Sequence, residues 1–235
     1  MRLLPVAALL ACACSDRIEP AVCSTDANCS PGFVCGTDGF CGPAPSCSPP
    51  LERQGSVCTV RRPTGVTAVG GQRQAQVRWT LLPGATSYTV GRGALSGGPY
   101  QDAGNSSDSS FLDINLEPAT PYWYVVRALG PGGYGSYSAE AAALTVPDPP
   151  ATLTATGGTR SISLGWSAVS GATGYTVLRS LAGAPFTVLA GTAGNTYADS
   201  GLGDGATFSY QVLALNSSGP SAPSPSATAT TAPAH

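Results

Sequence analysis

From residue 63 onward, apolar and polar residues alternate in short blocks separated by glycine and proline. In AQVRW, Ala75, Val77 and Trp79 fall on one side of an extended chain, and Gln76 and Arg78 on the other. SISLGW sets out Ile162, Leu164 and Trp166 in the same way. In YWYVVRA, Tyr122, Tyr124, Val126 and Ala128 face away from Trp123, Val125 and Arg127. A period of two marks a strand with one buried face. Burying aromatic and branched side chains of this kind contributes roughly 1.5–3 kcal/mol each. Short strands at regular spacing predict antiparallel sandwiches.

The blocks come twice. Trp79, Tyr88, Val90 and Arg92 recur 87 residues later as Trp166, Tyr175, Val177 and Arg179. From there the offset falls to 86, matching Pro99 with Pro185, Tyr100 with Phe186, Phe111 with Tyr197, Asp113 with Asp199, Leu116 with Leu202, Tyr122 with Phe208 and Tyr124 with Tyr210. Losing one residue inside a strand would turn its side chains to the wrong face. The loss therefore belongs to a loop, GALSGG in the first copy against SLAGA in the second.

At these residues each copy resembles a fibronectin type III domain. The first carries Pro63, Trp79, Tyr88-Thr89-Val90 and the run Leu116-Glu117-Pro118-Ala119-Thr120-Pro121-Tyr122; the second carries Pro150, Trp166, Tyr175-Thr176-Val177 and Leu202. The resemblance implies an all-β chain, two tandem immunoglobulin-like sandwiches over residues 63–147 and 148–232, and a scaffold with no fixed ligand. Phe208 departs from the pattern where a corner tyrosine is expected. Without the hydroxyl, the second copy lacks one hydrogen bond, a deficit on the order of 0.5–1.5 kcal/mol. Prolines in Val146-Pro147-Asp148-Pro149-Pro150 predict a stiff connection between the copies.

Composition narrows the chemistry. Of 235 residues, 42% are hydrophobic and 10% charged, with 30 Gly and 21 Pro, which disfavours helices. All 11 basic residues are arginine and the net charge is −2, so a nucleic-acid partner is not expected. The one histidine is His235, at a terminus that does not organise a site, and this removes histidine acid–base chemistry and metal ligation.

Residues 1–14, MRLLPVAALLACAC, place one arginine before an apolar run that is too short to span a bilayer but fits a secretory signal. Leu9-Leu10-Ala11-Cys12 and Ala11-Cys12-Ala13-Cys14 both resemble a bacterial lipobox, making Cys12 or Cys14 the expected lipid-bearing residue. Cleavage after Ala13 without lipidation is the competing reading. Residues 15–62 then hold Cys23, Cys29, Cys35, Cys41, Cys47 and Cys58, the first five spaced six residues apart. A segment this small cannot build a core of its own, and an exported chain commonly replaces one with disulfides. Zinc sites favour cysteines two to four residues apart, a spacing missing here. The six cysteines allow 15 pairings, and the sequence does not choose. Part of this stretch resembles a short Cys-rich module near the start of exported bacterial lipoproteins. Asp26 and Asp38 within it read as turn formers.

Three constellations outside the scaffold bear on function. Gly130-Pro131-Gly132-Gly133-Tyr134-Gly135 satisfies G-x-G-x-x-G, but the next segment reads as a strand where a dinucleotide site needs a helix. Asp102, Asp108 and Asp113 could supply a glycosidase pair. Asp113, however, recurs as Asp199 and Asp108 lies in a loop, so no catalytic residue is expected. The best binding candidate is an asymmetry: Trp123 faces outward where the second copy has Ser209, and Tyr134 and Tyr137 lie in the loop beyond it, which has no aromatics in the second copy. Exposed aromatics suit a sugar ring or a protein surface. The alternative is that Trp123 packs on the neighbouring module or is shielded by Arg127. The expected protein is a non-catalytic, exported, lipid-anchored envelope module without cofactor or metal. It would act as a spacer or adhere to a cell-surface protein or polysaccharide; a carbohydrate-binding accessory to an extracellular hydrolase is the alternative.

Overall fold

The computed structural model describes Ser24 and residues 33–35, 39–43, 47, 51–54 and 57–233. Cys12, Cys14, Cys23, Cys29, Asp26, Asp38 and His235 lie outside the described residues. The chain divides into two compact units, Met1–Cys58 and Thr59–His235.

In the first unit β1 (Phe33–Cys35) pairs antiparallel with β2 (Cys41–Pro43) over the buried Val34. β3 (Leu51–Gln54) pairs with β4 (Val57–Val60), the strand on which the second unit begins. One pairing is defined, Cys47–Cys58, with S–S 2.03 Å, and Cys35 and Cys41 are also disulfide-bonded. Bonded sulfurs thus stand in for much of the core that so short a segment lacks.

The second unit holds two immunoglobulin-like sandwiches of the same plan, and every described element in them is a strand. In the first, β5 (Thr67–Gly71), β6 (Gln74–Arg78) and β9 (Ser110–Ile114) form one sheet in the order 5-6-9. The facing sheet runs β8 (Tyr100–Ser106), β7 (Ser87–Gly93), β10 (Pro121–Gly130) and β11 (Gly133–Tyr134), with β12 (Ala141–Leu144) also paired to β10. The second sandwich repeats this with β13 (Leu153–Gly158), β14 (Ser161–Trp166) and β17 (Thr196–Ser200) in one sheet. The other sheet contains β16 (Thr187–Thr192), β15 (Gly174–Leu181), β18 (Thr207–Asn216), β19 (Gly219–Pro220) and β20 (Ala227–Thr230). The residue missing from the second copy falls between β15 and β16, matching the loop between β7 and β8.

The alternating positions build both cores as expected. Ala75, Val77 and Trp79 are buried, as are Ile162, Leu164 and Trp166. Trp79 meets Tyr88 with ring centroids 5.2 Å apart, and Trp166 meets Tyr175 at 5.5 Å, both in tilted geometries favoured by ring quadrupoles. Tyr88 Oη accepts from Leu82 N at 2.7 Å, and Tyr175 Oη accepts from Val169 N at 2.9 Å.

An ionic link also repeats. Arg92 on β7 donates through Nη1 to both oxygens of Asp113 on β9, at 3.0 and 2.9 Å, and Tyr124 Oη on β10 donates to the same carboxylate at 2.9 Å. Arg179, Asp199 and Tyr210 reproduce it at 3.1, 3.0 and 2.7 Å. Both carboxylates are buried and fully engaged, which lets a charge sit between two sheets. Burial first, then the neighbouring carboxylate, pushes the Tyr124 and Tyr210 hydroxyls well above the ordinary tyrosine range.

Thr145 and Thr231 close the corners opposite. Thr145 Oγ1 accepts from Thr120 N at 2.9 Å and donates to Glu117 O at 2.7 Å; Thr231 Oγ1 accepts from Ala206 N at 3.0 Å and donates to Gly203 O at 2.6 Å. In the first sandwich Tyr122 Oη also accepts from Glu117 N at 3.0 Å, a bond that Phe208 cannot make.

The proline-rich connection is tied to the first sandwich. Val146 N donates to Gly71 O, Ala119 N donates to Val146 O, and Asp148 receives a two-pronged contact from Arg73 at 3.1 and 2.6 Å. Asn216 of the second sandwich donates Nδ2 to Thr145 O at 2.8 Å.

Candidate functional site

One departure from simple alternation locates the site. On β10, Tyr124, Val125 and Val126 are consecutive and all buried, so this strand is covered on both faces. The inner cover is the core. The outer cover is a side-chain layer on the sheet's solvent face that the second sandwich lacks.

Strand register sets out that layer. Gly93 pairs with Tyr100 on one side and Trp123 on the other, and Trp123 pairs in turn with Ala142. Gly91 lies between Asp102 and Val125, and Thr89 between Asn105 and Arg127. The two glycines keep the central strand bare, and Tyr100 covers the vacancy. A Cβ on Gly93 would come within 3.1 Å of the Tyr100 ring, and one on Gly91 within 3.1 Å of Val125 and 3.3 Å of Tyr100 Cβ. The second sandwich has Leu178 and Ser180 at these positions.

Arg127 organises the next row. Its guanidinium carbon lies 4.1 Å from the ring centroid of Tyr134 and 5.0 Å from that of Tyr137. A cation over an aromatic face is worth about 0.5–1 kcal/mol at an exposed site. The buried Nε of Arg127 has no hydrogen-bond partner among the described residues, so the rings supply its specific contacts. Tyr137 continues the row to Tyr100, with centroids 6.5 Å apart.

Glu140 fixes the far edge. Its carboxylate accepts from the Tyr100 hydroxyl, from Gly97 N at 2.9 Å and from Ser96 Oγ at 2.8 Å. The Tyr100 hydroxyl and Gly97 N–H hold this carboxyl below its ordinary pKa, and the same bond raises that of Tyr100. These contacts bind the loop before β8 to the segment leading into β12.

Tyr134 and Tyr137 are therefore brought together around Arg127. Trp123 stands on the same face, half-buried between Gly93 and Ala142. Arg127 stacks on the two tyrosines. Tyr100 and Glu140 complete the layer. Residue alternation does not reveal them, because Tyr100 reads as a scaffold position matched by Phe186 and Glu140 contacts residues some forty positions earlier in the chain. The signal present in sequence is the Gly91 and Gly93 pair, two successive outer-face positions of one strand without side chains.

The other candidates take structural places. Gly130 and Gly133 pair across the turn between β10 and β11, and β12 comes next. Asp108 accepts from Ser109 N at 2.7 Å within its turn, Asp113 belongs to the buried ionic link, and Asp102 is exposed on β8. Among the described residues, no group of three His, Cys, Asp or Glu side chains is placed to hold a metal ion.

The chain is thus a disulfide-stapled segment leading into two fibronectin type III-like sandwiches. No family model matches it. Exoglucanase B of Cellulomonas fimi is 35% identical over 191 residues, covering 72% of this chain and 16% of that protein. Amylopullulanase of Thermoanaerobacterium saccharolyticum is 31% identical over 68 residues, 28% of this chain and 5% of that one. The chain spans less than a fifth of the length of either relative. Among solved structures, the chicken CNTN1 FN1–FN3 domains align over 75% of this chain and 67% of theirs, with TM-score 0.42 and 18% identity. An Fn3-like protein from Clostridium thermocellum aligns over 34% of this chain and 88% of its own, with TM-score 0.34 and 37% identity.

Proposed function

We infer that this chain is a non-catalytic, exported module of the cell envelope, held to the membrane through lipid on Cys12 or Cys14. In this reading the tandem sandwiches act as a spacer, and the outer face of the first binds a cell-surface protein or polysaccharide. One observation carries it. The inner scaffold occurs twice at matching positions, whereas the row in which Arg127 lies over Tyr134 and Tyr137, with Trp123 beside it, occurs once. Residues needed to fold a sandwich are needed in both copies; a layer needed in one copy points to a task other than folding. Aromatic rings fixed in place bind with little loss of side-chain freedom.

A second reading, a carbohydrate-binding accessory to a hydrolase system, draws on the relatives named as an exoglucanase and an amylopullulanase. The testing experiment passes the full chain in detergent over immobilised envelope fractions, one of proteins and one of polysaccharides. Retention by either fraction, lost in Trp123→Ala, is the expected result. Equal behaviour of both proteins on both fractions overturns the binding role. Mass spectrometry of the mature N-terminus tests the anchor, and an unmodified terminus overturns it.

A further inference from the structure

We propose that the outer face of the first sandwich takes an uncharged polysaccharide, whose sugar rings stack on Tyr100, Tyr134 and Tyr137 beside Trp123. This rests on the binding role above and narrows its ligand.

The argument is one of charge. An acidic polymer needs cations free to meet it, and among the described residues of this layer the cation is Arg127, already lying over Tyr134 at 4.1 Å and Tyr137 at 5.0 Å. A basic polymer needs a row of carboxylates, and among the described residues of this layer Asp102 stands alone, because that of Glu140 already accepts from Tyr100, Gly97 and Ser96. Asp102, exposed beside the bare strand, adds negative charge and opposes a polyanion further. Arg127 and Glu140 hold the rings in place and leave the rings as the recognition surface.

Rings recognise flat apolar faces, and a pyranose presents such a face of C–H groups rimmed by hydroxyls. Tyrosine supplies both the ring and a hydroxyl able to donate or accept. Tyr134 and Tyr137 keep 45% and 41% of their surface exposed while the cation contact fixes them. Tyr100 is fixed by Gly93 beneath it and Glu140 at its hydroxyl. A ligand therefore meets a surface already ordered before binding. The equivalent face of the second sandwich keeps one ring, Phe186 in the place of Tyr100, but has Leu178, Ser180, Ser209 and Gln211 where the first has Gly91, Gly93, Trp123 and Val125, and no counterpart of Tyr134 or Tyr137.

The test is affinity electrophoresis of the full chain in native gels containing hydroxyethyl cellulose, pullulan or alginate. Retardation by at least one of the two neutral glucans is expected, persisting when salt is raised to about 1 M, where charge attraction is screened beyond about 3 Å. Tyr137→Ala and Tyr134→Ala, both at exposed positions, are each expected to weaken it about tenfold, the equivalent of one lost aromatic contact. Tyr197→Ala, on the second sandwich, is expected to leave it unchanged. Retardation by alginate alone, abolished by salt, overturns the proposal. If no gel retards the chain while the envelope protein fraction still retains it through Trp123, the glycan inference falls and the binding role stands. Absence of both removes the two together.

Discussion

The two sandwiches share an interior and differ in what they show to solvent. Trp79 and Trp166, Tyr88 and Tyr175, the Arg–Asp–Tyr links and the corner threonines Thr145 and Thr231 occupy matching places with matching partners. Even the indole nitrogens of Trp79 and Trp166 are alike, both buried and without a hydrogen-bond partner among the described residues. Outside, the first sandwich places rings over a bare strand where the second places leucine, serine and glutamine. The comparison separates what holds a sandwich together from what an individual sandwich adds. It also reassigns Asp113, which as one of three nearby carboxylates looks chemical but, seen beside Asp199, is a tie between sheets.

The largest expected effect tests that tie. Asp113→Ala leaves Arg92 and the Tyr124 hydroxyl without their shared partner and is expected to cost about 3 kcal/mol, the lower end for breaking a buried pair because Arg92 is a third exposed. Asp199→Ala is expected to cost the same within error in urea unfolding of the full chain. A large effect in one copy and none in the other breaks the equivalence. Next, Thr145→Val and Thr231→Val each strand a backbone N–H and a carbonyl at a buried corner, an expected loss of about 1–3 kcal/mol by the same measurement.

A smaller change sharpens the one internal difference. Phe208→Tyr restores the hydroxyl that Tyr122 uses and is expected to raise the stability of the second sandwich by about 0.5–1.5 kcal/mol. An unchanged urea midpoint would place Phe208 outside the corner. The smallest effect concerns the outer face. Glu140 has a lowered pKa in the folded chain, so its tether to Ser96, Gly97 and Tyr100 is present above the ordinary carboxylate value of 4.5 and is lost as pH falls through the folded value beneath it. The Gly97 amide resonance is expected to move in that acid range, and Glu140→Gln to remove the movement. Trp79, inside the core, is expected to show no shift over the same titration.

Much of the fold was legible in sequence because it rests on period-two burial, and duplication supplied an internal check on the strands of the sandwiches. Val60, Thr145 and Thr231 were not legible: they lie outside the alternating blocks, and their burial depends on partners far away in the chain. For the outer face, alternation alone sets Trp123 outward, and Tyr134 and Tyr137 are visible as loop aromatics. Their grouping depends on Arg127, and the ordering of Tyr100 on Glu140, contacts that pattern reading does not supply. In the cysteine segment the residues announce disulfides, but Cys47–Cys58 is a geometric fact that spacing leaves among many alternatives.

Because each carboxylate of the repeated ionic link sits on one sheet and its arginine and tyrosine sit on the other, the link is a rivet through the sandwich. Were the chain pulled between the proposed anchor and a bound surface, its lifetime under load would follow the rate of unfolding. Two rivets of one design imply that this link adds the same resistance to each sandwich. Under tension, neither sandwich is then the weak joint by virtue of its ionic link.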